Sequence, residues 1–134
     1  MKKKIFLSGP MRGISRVDSL GWRLLAVKLL SNKFEVLHAM RGREEKETFT
    51  DPKIAVARDL NDIKNSHLML VNDTVTNCSM IGTSMEVFFA HERKIPIIIF
   101  GNAHKGDYWL EYHIHIRVGT LEEACKIINR MFID

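Results

Sequence analysis

The 134-residue chain has no apolar run close to the roughly 20 residues that a membrane-spanning helix needs. Its start is no better suited to secretion. Lys2-Lys3-Lys4 leads into Ile5-Phe6-Leu7 and then Ser8-Gly9-Pro10, short of the about 7 to 15 apolar residues of a signal segment. A cytoplasmic protein without a membrane partner is the expectation. Cysteine is scarce: Cys78 and Cys125 lack metal-site spacing and suit a reducing compartment. Neither charge sign dominates, since 20 Lys and Arg stand against 16 Asp and Glu for a net charge of +4. The basic residues are dispersed and not interleaved with aromatics, which argues against a nucleic acid polymer as partner. A mildly basic surface does suit a small phosphorylated ligand. The glycines do not form Gly-x-Gly-x-x-Gly or a Walker loop; in the first glycine-containing turn, Pro10 lacks the N–H that a phosphate cradle would use.

What remains is an ordinary globular composition, 46% hydrophobic and 27% charged, at a length that suits one domain, residues 1–134. Short apolar runs at Lys4–Leu7, Phe34–Leu37, Leu68–Val71 and Ile97–Phe100 read as buried strands, with a fifth at His115–Val118. Helical patterns separate them. Trp22, Leu25, Leu29 and Leu30 mark the inward stripe of the first helix, capped by Ser15 or Asp18. Asp51-Pro52 opens the second, with Val56, Leu60 and Ile63 inward and Asp62 solvated. The third runs from Thr83 to about Glu92. The last starts at the Thr120/Glu123 capping box, with Leu121, Ile127, Ile128 and Met131 as its core. Met40–Thr50 reads as a surface loop able to act as a lid, and Gly101–Trp109 as loop. Strands alternating with helices imply an α/β fold: a doubly wound, flavodoxin- or Rossmann-like parallel sheet of five strands, covered on both faces.

Chemistry concentrates at three predicted strand ends, where open α/β sheets place their sites. Glu86, in Gly82-Thr83-Ser84-Met85-Glu86, follows the third strand. It reads either as the last member of a Thr-x-x-Glu capping box or as a partly desolvated carboxylate able to act as nucleophile or acid/base, with room left by Gly82 and Ser84. Asp59 supplies a second carboxylate, and cleavage of a glycosidic bond calls for two such roles. Ser8-Gly9-Pro10-Met11-Arg12-Gly13 offers an anion a hydroxyl, backbone N–H groups and a guanidinium; its plain alternative is a turn with a surface arginine. His113 and His115, two apart, would share a strand side and form no recognisable metal-ligand set; Trp109 and Tyr112 read either as stacking partners for a base or as packing residues at a dimer contact.

Three motifs in order, Ile5–Pro10, Arg58–Ile63 and Gly82–Ala90, give the chain a resemblance to the nucleoside 2-deoxyribosyltransferase superfamily, nearest to its nucleoside 5′-monophosphate N-glycosidases. The resemblance covers Lys4 to about Ala124. It implies Glu86 as nucleophile at the sugar C1′ and Asp59 as its assistant at the sugar and leaving base. It implies a phosphate contact at Met11-Arg12-Gly13, with Pro10 where the family has serine, so that Ser8 becomes the hydroxyl donor. Met80 stands where transferases carry a base-reading aspartate, and the neighbouring Ser79 becomes a phosphate contact as in the hydrolases. No metal or cofactor is implied. The partners implied are a small nucleotide or nucleoside and further copies of the same chain, a homodimer or higher homo-oligomer. The readings left open are a nucleotide hydrolase, a base-exchanging deoxyribosyltransferase, and a non-catalytic nucleotide-binding module.

Overall fold

A computed structural model describes residues 1–41 and 51–133. The proposed lid therefore lies, from residue 42 onward, outside the described residues. Five strands alternate with helices: β1 (Lys3–Ser8), α1 (Arg16–Leu30), β2 (Phe34–His38), α2 (Pro52–Lys64), β3 (Leu68–Asn72), α3 (Ile81–Glu92), β4 (Ile97–Phe100), α4 (Tyr108–His113), β5 (Ile116–Val118) and α5 (Leu121–Met131). All strand pairs are parallel, in the order β2-β1-β3-β4-β5. The doubly wound, flavodoxin-like reading holds. The order reverses between β1 and β3, and a crevice opens outside the carboxyl ends of strands at such a reversal.

The strand period of two sorts the core into two layers. Ile5, Leu7, Leu68, Leu70, Ile98 and Phe100 pack with Ala26 and Leu30 of α1 and with Leu121, Ala124, Cys125 and Ile128 of α5. Phe6, Met69, Val71, Ile97 and Ile99 pack with Ile63 of α2, Val87 and Ala90 of α3 and Leu110 of α4. Ser8 shares the parity of Phe6, so β1 ends with a hydroxyl on the α3 side.

Three helix readings are corrected by the packing. On α1 the buried face is Ser19, Arg23, Ala26 and Leu30, while Leu25 and Leu29 are 42% and 41% exposed. The period is helical as expected, but the face is turned: small Ser19 and Ala26 let the helix approach the sheet, and a guanidinium takes the inward place expected of leucine. On α2, Val56 is exposed and Asp62 is buried, against an expectation of the reverse. Asp62 pairs with Arg41, and its carbonyl accepts from Ser66 Oγ at 2.7 Å, so a partner makes its burial tolerable. On α5, Met131 is 43% exposed, and Ala124 and Cys125 complete the core stripe instead.

Two features lie in the segment read as loop and strand. Asp107 caps α4, its carboxylate accepting from Leu110 N at 3.0 Å. His113 therefore ends a helix while His115 precedes β5, so the two do not share a strand side. Ser15 is the α1 cap and accepts from Asp18 N; Asp51 and Thr120 cap α2 and α5 as expected.

Candidate active site

Glu86 is placed by α3, which starts two residues earlier than its sequence suggests. The helix begins at Ile81, and its N-cap residue Met80 makes no side-chain capping bond, while Ser79 Oγ accepts from Ile81 N at 3.5 Å. Thr83 is buried and Glu86 belongs to the second turn, so the capping-box reading of Glu86 fails. The carboxylate instead crosses to β1: Ser8 Oγ donates to Glu86 Oε1 at 2.6 Å. Strand end and helix thus meet across the reversal point of the sheet. With Oε1 held by Ser8, Glu86 stands on the wall of a cleft at this point.

That cleft has a volume of about 330 Å³, and its wall includes Gly9, Met11, Arg12, Asp59, Ser79, Gly82 and Glu86. Most residues singled out in the sequence therefore share one cavity, large enough for a drug-sized ligand. Gly82 has open space around the position a Cβ would occupy, as expected of a residue leaving room. The loops carrying Arg12 and Ser79 are joined directly, Ser79 N donating to Arg12 O at 3.3 Å. Gly9 is tightly enclosed: a Cβ would stand 3.0 Å from the Trp22 ring and 3.2 Å from Asn72 Cβ, close enough that these side chains would have to shift.

Three candidates fall elsewhere. Ser8, expected as a hydroxyl donor to phosphate, is buried off the cleft wall and donates to Glu86. Ser84 points to the far side of α3, into a groove with Met85, Phe88, Trp109 and His113. A helix cannot aim residues 84 and 86 at one spot, because they stand about 200° apart around its axis. Gly13 lines a separate pocket on the α1 side with Ser15, Trp22 and Asn72, and it lies against the Cys78 backbone.

Burial, foremost, pushes the Glu86 carboxyl up from 4.5 to about 7. The Ser8 hydrogen bond pulls it down, the Asp59 charge pushes it further up, and the Arg23 charge pulls it down. A carboxylate balanced between its two states near neutrality fits a group that must ionise to attack and become neutral once esterified. Replacing Ser8 by Ala removes one lowering influence. The acid limb of a kcat/KM profile, set by Glu86, is expected to move to higher pH, with about a tenfold loss at pH 6.5, measured on initial rates.

Sequence reasoning missed two contributors. Arg23 lines the cleft from α1 although it reads as one more charge on an amphipathic helix. Arg58 of α2 donates to Ala39 O and Arg41 O, each at 2.8 Å, and so ties the chain after β2 to the wall that carries Asp59. Ser19, Arg23, Ala26 and Leu30 at helical spacing would have pointed to the first; nothing local points to the second. Among the described residues no group of three or more His, Cys, Asp or Glu side chains is placed to hold a metal, and no helix is long and apolar enough to cross a membrane.

No protein-family model matches the chain, and no curated protein matches it. Solved structures do. A 2-deoxyribosyltransferase from Bacillus psychrosaccharolyticus superposes with a TM-score of 0.71 at 15% identity, over 90% of this chain and 89% of that one. A conserved protein from Enterococcus faecalis V583 gives 0.68 at 13% identity, over 98% and 100%. The Clostridium botulinum CMP N-glycosidase gives 0.61 at 18% identity, over 96% and 99%. At such identities the likeness is one of fold. Two of these three proteins are a 2-deoxyribosyltransferase and a CMP N-glycosidase.

Proposed function

We propose that the protein is a hydrolase that cleaves the N-glycosidic bond of a nucleoside or deoxynucleoside 5′-monophosphate, releasing free base and sugar 5-phosphate. The observation that carries the reading is the Ser8–Glu86 hydrogen bond across the sheet's reversal point, which fixes one carboxylate oxygen of a residue that lines a cleft with Asp59 and Arg12. The Glu86 carboxylate attacks C1′ as the C–N bond breaks, and the base leaves with a proton donated by the Asp59 carboxyl. Water then attacks the glycosyl ester, gives a proton back to Asp59, and frees the sugar phosphate and the Glu86 carboxylate. Arg12 and Ser79, joined at the cleft mouth, serve the 5′-phosphate, with backbone from Gly9 to Met11 beside them. No cofactor takes part in these steps.

Base exchange between deoxynucleosides is the second reading, favoured by Pro10 in the phosphate turn. Chromatography of nucleosides and 5′-monophosphates, with and without an added base, separates the two. Base released from monophosphates alone supports the hydrolase; product only with an acceptor base supports the transferase. No turnover by the wild type on any of them would leave a nucleotide-binding module.

We also propose that the protein works as a homodimer joined through α3 and α4. Met85, Phe88, Tyr108, Trp109 and Tyr112, 51% to 89% exposed, form one apolar surface with Ile81 at the cleft edge. Aromatic side chains of this kind bury about 150–250 Å² each, so the patch approaches the roughly 800 Å² that one partner contributes to a standard interface. Trp109→Glu is expected to convert the dimer to a monomer in light scattering at micromolar concentration. An unchanged mass, or a monomeric wild type, would remove this interface.

A further inference from the structure

We propose that Arg23 is the positioning residue of this site: its guanidinium braces the Gly9–Pro10 turn against α1 and stands as the buried cation on the cleft wall shared by Glu86 and Asp59. The inference rests on the hydrolase reading above for its catalytic meaning.

Arg23 is 1% exposed, and burying a charge is costly unless other groups compensate it. Its contacts account for the geometry. Nη2 donates to Gly9 O at 2.9 Å, while Nη1 donates to Ser19 O at 2.8 Å and Ser19 Oγ at 3.0 Å. The guanidinium carbon lies 4.7 Å from the centre of the Trp22 ring. One planar fork therefore joins the α1 backbone to the carbonyl directly after Ser8, the residue that holds Glu86. A methionine or leucine would fill the volume equally well, but would serve neither carbonyl and bring no charge. The charged and titratable groups facing Glu86 within the cleft are Asp59 from α2, Arg12 from the β1 loop and Arg23 from α1. Arg12 is exposed at the mouth, whereas Arg23 is enclosed, where charge is least screened. The Arg23 charge favours the ionised form of Glu86, the form that attacks.

The test reads Glu86 without substrate. Urea unfolding of the protein and of its Glu86→Gln variant across pH 4 to 9 gives a stability difference whose upper limit in pH reports ionisation of Glu86 in the folded state. The same pair is then made with Arg23→Met and with Arg23→Lys. Arg23→Met is expected to move the Glu86 midpoint up by about one on the pH scale and to lower kcat at pH 7 about tenfold. Arg23→Lys keeps the charge, so the midpoint stays within about 0.3 of wild type, while kcat/KM falls about tenfold because an ammonium cannot serve both carbonyls from one plane. A midpoint unmoved by Arg23→Met overturns the proposal. If Arg23→Met does not fold, Arg23→Gln replaces it. If neither neutral variant folds, wild-type kcat/KM in Arg23→Lys overturns the proposal, and a tenfold loss upholds it. Should the wild type turn over no nucleotide, the hydrolase reading fails, while the Glu86 midpoint still judges Arg23 separately.

Discussion

Glu86→Gln is expected to abolish glycosidic cleavage and yet to make the protein more stable at pH 8. The loss of turnover should be at least about 10³-fold, because an amide cannot form the glycosyl ester through which the reaction passes. The gain in stability follows from linkage. In the unfolded chain Glu86 ionises near 4.5; in the folded protein it does so at about 7. The folded state therefore favours the protonated carboxyl. Below pH 4.5 the shift costs nothing, the penalty on folding grows as pH rises from there, and it is complete above pH 7. Glutamine is neutral throughout and still accepts from Ser8, so the variant escapes the penalty. At pH 8 the difference should be about 3 kcal/mol, seen as a higher urea midpoint with an unchanged slope. It should vanish by about pH 4. A Glu86→Gln protein no more stable than wild type at pH 8 would show that the carboxylate is well solvated or fully compensated. The proposed tuning of the nucleophile would then fall, whatever the activity. The two effects have one cause: a carboxylate half-buried at the reversal point of the sheet is poorly solvated by the fold and ready to react.

How much of this was legible in the sequence depends on which interaction fixes each feature. Strands with two buried faces read as continuous apolar runs, so β1, β3 and β4 were visible as Ile5–Leu7, Leu68–Val71 and Ile97–Phe100. Caps made by residues close in sequence were visible for the same reason, at Ser15, Asp51 and Thr120. The face of α1 was not. Leucines at helical spacing outvote Ser19, Arg23 and Ala26 on any hydrophobic count, but the sheet selects the face that allows close approach and carries a charge into the cleft. The short α4 is fixed by the Asp107 cap and by burial of Leu110 and His113, too few positions to show a period. At the site, Glu86 and Asp59 were identifiable as residues, whereas what turns Glu86 from a helix cap into a held carboxylate is a hydrogen bond across 78 positions of chain. Ser84 illustrates the opposite error: closeness in sequence to Glu86 does not put it in the cleft.

Gly101→Ala is expected to cause the largest loss of stability of any glycine-to-alanine change among the described residues. Gly101 follows β4 with φ at +98°, a conformation that side chains rarely adopt. A Cβ there would stand 2.3 Å from Asp73 O and 2.7 Å from Asp73 C, which are backbone atoms. Neither side can give way. Asp73 N donates to Phe100 O at 2.8 Å, Asp73 O accepts from Ala103 N at 2.9 Å, and Gly101 N donates to Val118 O at 2.9 Å. The Asp73 carboxylate, fully buried, is held in turn by His104 Nδ1 at 2.6 Å and Arg117 Nη1 at 2.9 Å, and Arg117 also donates to Gly101 O. Moving the backbone by the ångström needed would loosen a buried ion pair whose disruption alone costs about 3–5 kcal/mol. With the strain of positive φ added, a loss of about 4 kcal/mol or more is expected, lowering the melting temperature by about 10 °C or more. Gly106→Ala, where a Cβ meets nothing within 4 Å, is the control and should change stability by less than about 0.5 kcal/mol. A Gly101→Ala protein that melts with the control would mean that the β3 and β4 ends are not locked together. If they are locked, β3 delivers its chain into the loop toward Met80 from a fixed point, and α3 holds Glu86 against Ser8 from that same rigid frame.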